Sequence, residues 1–235
     1  MKLWGFPTGN YHVPTAAEVQ KKLALVDGNK VEIQTRDSDE KGRDSKEKAK
    51  FVTLGADQQI DIAKGYTGQK LAELFQEYGV SSALVSLGGN IQAIGTKPDG
   101  SSWKVGIRDP KGGQQDYIGV LSVENQAVIT SGGYERYFEE DGKTYIHIIN
   151  PRTGYPADGD LLSVTIVSRD GTLADGMSTA LYIMGYEKAC QFWRQRREEF
   201  NVILVTDDGK IHISENLKEN FQTECDLEMI ESGSE

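Results

Sequence analysis

The sequence predicts an α+β fold with antiparallel sheets rather than a doubly wound parallel sheet. Short β-type runs are joined by turn signals such as Pro98-Asp99-Gly100 and Glu140-Asp141-Gly142, which are typical of hairpins. The helical patterns are clustered instead of alternating one by one with strands. A length of 235 residues, of which 37% are hydrophobic, suffices for one large domain or two small ones. We expect a single domain over residues 1–230 and a disordered tail over residues 231–235.

Four helices are predicted in chain order. Thr15 and Glu18 form a capping-box pattern that begins the first helix. The second helix follows Ile62 and ends at Gly79. It carries a 3.6-residue stripe of larger side chains, formed by Tyr66, Leu71, Leu74, Phe75 and Tyr78. The other two helices span roughly residues 173–184 and 186–195.

The β-type runs lie between these helices, and one segment lacks any such pattern. The runs are residues 83–87, 91–94, 103–107, 117–121, 127–130, 144–148, 163–167 and 202–205. Gly88 and Gly89 are better explained as a hairpin turn than as a ligand contact when considered alone. Residues 36–48 are charged and nearly free of apolar side chains, which predicts a solvated loop or a loop followed by a frayed helix.

Charge and cysteine content argue against several classes of protein. The formal net charge is −10, which disfavours general attraction to nucleic acid or anionic lipid. The two cysteines, Cys190 and Cys225, have no CxxC spacing, so neither a zinc site nor a disulfide framework is expected. No apolar run reaches the roughly 18 residues of a membrane span. The N-terminus also lacks the long apolar run of a signal peptide.

Three polar segments are candidates for chemistry. His147 follows a predicted strand and precedes a rigid Pro/Gly turn, where an imidazole can act as general base, although a lone strand histidine is usually structural. Asp175 and Thr179 are one helical turn apart with Ser178 beside them, a hard-oxygen set suited to Mg²⁺. Helix capping by Asp175 is the alternative. Residues 130–138 fit either an anion-binding turn or a β-bulge with packed aromatic side chains.

Taken in order, these segments resemble the signature of the ApbE-type FAD:protein FMN transferases. The matching segments are residues 3–6, 62–66, 86–91, 103–110, 130–138, 147–156 and 174–185. The resemblance implies a two-lobed α+β fold of the T-fold kind with FAD between the lobes. It begins at Leu3, so we expect the chain to lack the family's usual N-terminal portion. The segment before Ala63 is also shorter than the family pattern.

The resemblance also implies a set of site residues. The implied Mg²⁺ ligands are the carbonyl of Ala63 and the side chains of Asp175, Ser178 and Thr179. The implied FAD contacts are Leu3, Trp4, Gly5, Ile60, Tyr66, Gly88, Gly89, Thr130, Ser131, Gly132 and His147. His147 and Asp175 are the implied catalytic residues.

The activity implied by the resemblance is Mg²⁺-dependent transfer of FMN from FAD to a Thr or Ser hydroxyl of an acceptor flavoprotein, with release of AMP. The implied partners are FAD and the acceptor. Because family members usually work outside the cytoplasmic membrane, the resemblance also implies a membrane-associated acceptor and a location outside that membrane. Two alternatives remain open. One is a FAD-binding protein without turnover, and the other is a FAD pyrophosphatase that yields FMN and AMP.

Overall fold

The computed structural model describes residues 4–6, 9–23, 32–38, 44–50 and 62–233. Its helices are α1 (Ala16–Leu23), α2 (Ala63–Glu77), α3 (Gly171–Met184) and α4 (Tyr186–Gln195). Its strands are β1 (Glu32–Ser38), β2 (Asp44–Lys50), β3 (Ala83–Leu87), β4 (Asn90–Ile94), β5 (Trp103–Arg108), β6 (Tyr117–Val123), β7 (Ala127–Gly132), β8 (Tyr137–Glu140), β9 (Lys143–Ile146), β10 (Leu161–Ser168), β11 (Asn201–Thr206), β12 (Ile211–Ser214), β13 (Phe221–Gln222) and β14 (Leu227–Ile230).

A seven-stranded sheet organises the described part of the chain. Its strand order is β14-β12-β11-β10-β7-β4-β3, and neighbouring strands are antiparallel except β12 and β14, which are parallel. A three-stranded sheet has the order β13-β6-β5, while β8 pairs with β9 and β1 pairs with β2. The prediction of an α+β fold with antiparallel sheets is therefore confirmed.

Both faces of the seven-stranded sheet are covered. On one face α3 and α4 contribute Leu181 and Trp193 to a core that also contains Ile166 of β10. On the other face the three-stranded sheet contributes Leu121 to a second core that contains Val167. Because β10 is covered on both sides, its residues are nearly all buried and its sequence lacks the alternation of a half-exposed strand.

Helix α1 begins as the capping box predicts. The backbone N–H of Thr15 donates to Oε2 of Glu18 at 2.9 Å, and the N–H of Glu18 donates to Oγ1 of Thr15 at 3.4 Å. Two N–H groups of the first turn are thereby satisfied.

Helix α2 ends as predicted but buries a different face. Gly79 has a φ of +78°, and the N–H of Val80 donates to the carbonyl of Phe75 at 2.8 Å, which closes the helix. The predicted stripe of large side chains is wrong, since Leu74 is 44% and Tyr78 is 81% exposed.

The buried residues of α2 are instead Gly65, Gly68 and Ala72. A Cβ on Gly65 would collide with the carbonyl of Gly171 and with the side chain of Asp175. Small side chains let α2 approach α3 closely, and this tertiary requirement overrides the amphipathic pattern.

The turn signals are correct, but one of them does not make a hairpin. Gly88-Gly89 joins the antiparallel pair β3–β4, and Asp141-Gly142 joins β8–β9, with positive φ at all four positions. At Pro98-Asp99-Gly100 the turn forms, but β4 pairs with β3 and β7 whereas β5 pairs with β6. The chain passes here from one sheet to another, which a local turn signal does not reveal.

For the charged segment over residues 36–48 the sequence predicts a solvated loop, or a loop followed by a frayed helix, and this prediction is wrong for residues 36–38 and 44–48, which are the described part of the segment. Residues Glu32–Ser38 pair with Asp44–Lys50 as an antiparallel ladder. Such a ladder is formed by main-chain groups, so composition alone does not exclude it. The run predicted over residues 144–148 also ends early, since β9 stops at Ile146. The extent of the domain and the disordered tail stay predictions.

Candidate active site

Asp175 joins the two helices that meet over the seven-stranded sheet. Helix α3 is capped by Asp170, whose Oδ1 accepts the N–H of Leu173 at 2.9 Å, so α3 does not use Asp175 as its cap. Asp175 lies further along α3 and is 5% exposed. Its Oδ2 accepts the N–H of Gly65 at 2.7 Å. Asp175 therefore caps α2, whose own N-cap residue, Ile62, has no side chain that accepts a hydrogen bond.

A chain of hydroxyl groups lies beside Asp175. The Oγ of Ser131 is 2.8 Å from Oγ of Ser178 and 3.0 Å from Oγ1 of Thr179. Ser178 donates its proton to the carbonyl of Asp175 at 2.9 Å, because a carbonyl only accepts. Ser131 must then donate to Ser178, and Thr179 must donate to Ser131. This direction leaves lone pairs on Thr179 for another partner.

The oxygen atoms of this site fit the ion that the resemblance implies. The carbonyl of Ala63 lies in the first turn of α2 and accepts the hydroxyl of Thr67 at 2.7 Å. Ser178 is fully buried, and its hydroxyl already donates and accepts, so Asp175 and Thr179 are the better candidates. Among the described residues there is no cluster of three or more His, Cys, Asp or Glu residues. A site with one carboxylate suits Mg²⁺, which commonly completes its coordination with water and phosphate oxygens.

His147 presents one ring nitrogen as a proton acceptor. Its backbone N–H and its Nδ1 both contact the carbonyl of Arg136, at 3.0 and 3.1 Å. Since a carbonyl cannot donate, we assign the ring proton to Nδ1, which leaves the lone pair on Nε2. Burial lowers the pKa of His147 below its ordinary value of 6.5, the hydrogen bond that its ring donates to the backbone carbonyl of Arg136 opposes this, and the charges of Arg136 and Lys64 lower the pKa further. A neutral imidazole near the N-terminus of α2 follows.

The segment Trp4–Phe6 packs against the loop that follows His147. The indole N–H of Trp4 donates to the carbonyl of Gly154 at 3.1 Å, and its ring lies 5.5 Å from that of Tyr155. The ring of Phe6 is 6.3 Å from the ring of His147. Gly5 has a φ of +79°, and a Cβ there would collide with the carbonyl of Asn10. This backbone conformation and close approach account for glycine at position 5.

A cleft of about 720 Å³ opens on the opposite face of the seven-stranded sheet. Gly88, Gly89 and Thr130 line it together with Arg108 and Tyr134. The guanidinium of Arg108 lies 4.6 Å from the ring centre of Tyr134. The volume of the cleft lies within the usual range for small-molecule sites.

Comparison with known proteins decides the family. A model described as the ApbE family matches residues 1–204. The chain belongs to the ApbE family.

Two curated relatives of this ApbE-family chain carry the same name. A FAD:protein FMN transferase of Klebsiella pneumoniae is 37% identical over 214 residues, which are 91% of this chain and 63% of that protein. A FAD:protein FMN transferase of Treponema pallidum is 46% identical over 142 residues, 57% of this chain and 39% of that protein. The chain therefore spans less than two thirds of the length of either relative.

Solved ApbE structures share the fold. The ApbE protein of Thermotoga maritima matches with a TM-score of 0.73 at 33% identity, covering 93% of this chain and 68% of that one. The flavin transferase ApbE of Vibrio cholerae matches with a TM-score of 0.68 at 28% identity, covering 93% and 67%. Among the described residues of our chain, no helix combines the length and apolar character needed to cross a bilayer.

The ApbE fold separates the predicted site residues into two groups. One group lies where α2 and α3 meet the sheet, and it consists of Ala63, Ser131, Asp175, Ser178 and Thr179. Gly88, Gly89 and Thr130 line the cleft on the other face. The division follows from strand geometry, because successive side chains of β7 point to opposite faces.

The remaining predicted residues have mixed outcomes. Tyr66 is partly buried in the first turns of α2, with Nζ of Lys70 5.7 Å from its ring centre. Gly132 is buried, and a Cβ there would collide with the ring of Tyr134. Leu3 and Ile60 lie outside the described residues.

Sequence reasoning did not single out Arg108, Tyr145 or Tyr155. Arg108 lies within the matching segment 103–110, but a single arginine at a strand end has no distinctive signal. The rings of Tyr145 and Tyr155 flank Trp4, at 5.6 and 5.5 Å. Only the packing of the loop identifies them.

Proposed function

We propose that this ApbE-family chain carries the catalytic site of a FAD:protein FMN transferase. The reaction is the Mg²⁺-dependent transfer of FMN from FAD to a Thr or Ser hydroxyl of an acceptor flavoprotein, with release of AMP. The observation that carries the proposal is the hydrogen bond from the N–H of Gly65 to Asp175, with the hydroxyl of Thr179 on the same helix as Asp175. We call this place, where Gly65 of α2 meets Asp175 of α3, the α2–α3 junction. The names of the curated relatives support the same activity.

In this proposal the α2–α3 junction receives the diphosphate of FAD. Asp175, Thr179 and the carbonyl of Ala63 would hold Mg²⁺, which when bound would neutralise the diphosphate and the charge that develops on the leaving AMP. Ser131 would orient the hydroxyl of Thr179, and Ser178 would orient Ser131. The proposed FAD contacts on the cleft face are Gly88, Gly89 and Thr130. One FAD molecule that passes around the end of β7 would contact both these residues and the helix face.

His147 is the proposed general base. Its Nε2 would accept the proton of the acceptor hydroxyl while the oxygen forms a bond to the FMN phosphorus. The bond between that phosphorus and the bridging oxygen breaks, and AMP leaves with this oxygen. The same Nε2 could deprotonate water, in which case the products are free FMN and AMP.

A location outside the cytoplasmic membrane and a membrane-associated acceptor belong to the same proposal.

The test measures two products at once. The purified chain is incubated with FAD and Mg²⁺, with and without an acceptor domain, while AMP release and gel-resolved covalent flavin fluorescence are followed. We expect labelled acceptor and AMP in equal amounts. Both should be lost with EDTA and should fall by at least about 100-fold in Asp175→Asn, since even an outer-sphere partner of a metal site is worth roughly 10- to 100-fold.

Asp170→Asn is the matched control, because Asp170 caps the same helix by accepting the N–H of Leu173 and is absent from the proposed site. It should retain activity. AMP without labelled acceptor would favour the pyrophosphatase, and bound FAD without AMP would favour a binding protein without turnover. Either result would contradict the transferase proposal for this chain.

A further inference from the structure

Asn90 is a buried polar side chain with an unsatisfied donor. It is 5% exposed, and its Nδ2 has no hydrogen-bond partner among the described residues. Burying an amide donor without a partner is unfavourable, because it loses its hydrogen bonds to water. Such a group in a folded protein is a candidate for binding a ligand that completes it.

The sheet register places Asn90 on the same face as the hydroxyl chain. Ile91 is paired with Val128, and both pack towards the core on the cleft side of the sheet. Because side chains alternate along a strand, Asn90 faces the helices, as do Ile129 and Ser131 of the neighbouring strand β7. Asn90 and Ser131 are then diagonal neighbours on one face, within reach of a shared ligand.

Helix α2 covers this part of the sheet. A Cβ on Gly68 would lie 3.7 Å from Cβ of Gln92 and 3.9 Å from Cδ1 of Leu87, so α2 passes directly over the β3–β4 hairpin. One turn earlier, Gly65 contacts Asp175. Asn90 therefore lies beneath the same α2–α3 junction that contains the proposed diphosphate site.

We propose that Nδ2 of Asn90 donates a hydrogen bond to a diphosphate oxygen of the bound nucleotide, an inference that rests on the proposed function. An amide N–H needs an acceptor and cannot ligate a cation, and a diphosphate oxygen is the acceptor that the proposed function brings to this junction. A neutral donor attracts that anion without a buried positive charge, and a hydrogen bond to a charged group is stronger than one between neutral groups. Asn90 is in this view a substrate-binding residue.

Two near-isosteric variants test the assignment. Asn90→Leu removes the donor, and Asn90→Asp replaces it with a carboxylate that repels phosphate. Dissociation constants are measured for FAD, for ADP, which has the diphosphate without the flavin, and for riboflavin, which has the flavin without phosphate. We expect FAD and ADP to bind Asn90→Leu roughly 10- to 100-fold more weakly. Asn90→Asp should be weaker still, and riboflavin binding should be unchanged.

Thermal unfolding without nucleotide separates binding from structure. Asn90→Leu should unfold at the same temperature as the wild type or higher, because it removes an unsatisfied buried donor. Asn201→Leu is the matched control. Its Oδ1 is also buried without a partner among the described residues, but Asn201 lies on β11, three strands from β4, and pairs with Val167, which packs into the core on the opposite face of the sheet from Asn90. It should leave all three affinities unchanged.

Several outcomes would overturn the inference. Unchanged FAD and ADP affinity in Asn90→Leu, in a protein whose wild type binds FAD, would reject Asn90 and leave the proposed function intact. A lower unfolding temperature with unchanged affinity would make Asn90 a structural residue. A loss confined to riboflavin would move the contact away from the diphosphate. If the wild type bound no FAD at all, both the proposed function and this inference would fail.

Discussion

The two faces of strand β7 differ although they are built from consecutive residues. On the helix face, Ser131 belongs to a directed chain of hydroxyls that ends at Asp175 and the N-terminus of α2. On the cleft face, Thr130 bonds the hydroxyl of Thr165 at 2.8 Å beside an open volume. One face is closely packed with its oxygen atoms oriented, and the other is open. The proposed Mg²⁺ ligands Asp175 and Thr179 belong to the helix face, whose oxygen atoms are already oriented.

Replacing His147 should have the largest effect, and it tests whether chemistry belongs to the helix face. His147→Gln should lower the rate of flavin transfer by about 10²- to 10⁴-fold, the usual contribution of a general base. Fluorescence of the bound flavin, measured in the same variant, separates a loss of binding from a loss of turnover. A transfer rate within threefold of wild type would exclude His147 as the base.

The wild-type pH profile sharpens the same point. Since the pKa of His147 lies below 6.5, the imidazole is neutral above that pH and the transfer rate should be level there. The rate should fall as the pH drops below 6.5 and the base becomes protonated. Stability changes in the same direction, because the unfolded state binds more protons between the folded pKa and 6.5. Stability from this group is thus complete above 6.5 and is lost as the pH falls through that window.

The next largest effect concerns the packing of the two faces. Gly65→Ala should destabilise the protein by about 3 kcal/mol, the upper end for overpacking, because the added methyl meets the Gly171 carbonyl and Asp175. Gly106→Ala is the matched change on the cleft face, where a Cβ would make ordinary 3.5 Å contacts with Tyr117. Urea unfolding of both variants measures the difference. Equal destabilisation would show that the helix face is not the more tightly packed.

A pair of threonine variants tests which face of β7 determines the Mg²⁺ concentration needed for activity. Thr179→Val should raise the Mg²⁺ concentration needed for half-maximal activity by roughly 10-fold, the lower end for losing a group near a metal. Thr130→Val should leave that concentration unchanged and cost about 1 kcal/mol of stability through the lost bond to Thr165. Activity titrated with Mg²⁺ gives the first quantity and urea unfolding gives the second. A shift in Thr130→Val alone would reverse the assignment of the faces.

The smallest expected effect is in the cleft itself. Arg108→Ala should cost about 0.5–1 kcal/mol of stability, because the guanidinium loses its contact with the ring of Tyr134. Lys104→Ala is the control, since Nζ of Lys104 donates to the hydroxyl of Ser122 and does not contact an aromatic ring among the described residues. Thermal unfolding resolves the two. A large loss of transfer activity in Arg108→Ala would show that the guanidinium of Arg108 itself contributes to the reaction, beyond its contact with Tyr134.

Much of the local structure could be predicted because its causes are local. The capping box at Thr15 and Glu18, the helix end at Gly79 and the hairpin at Gly88-Gly89 each depend on a few neighbouring residues. The buried face of α2 could not be predicted in this way. Gly65 and Gly68 are buried because another helix and the sheet lie against them. The sequence of α2 alone does not indicate which elements pack against it.

The sequence by itself determined the α+β class, the family resemblance and most elements, since turn residues, caps and ordered motifs act over short distances. It also singled out Asp175, Thr179 and His147 as candidates for chemistry. Only the tertiary structure decided that Asp175 caps α2, that Ser131 orders the hydroxyls, and that Thr130 belongs to another face. The reason is physical: hydrogen bonds between α2, α3 and β7 join residues far apart in the chain, and strand alternation separates residues that are adjacent in it.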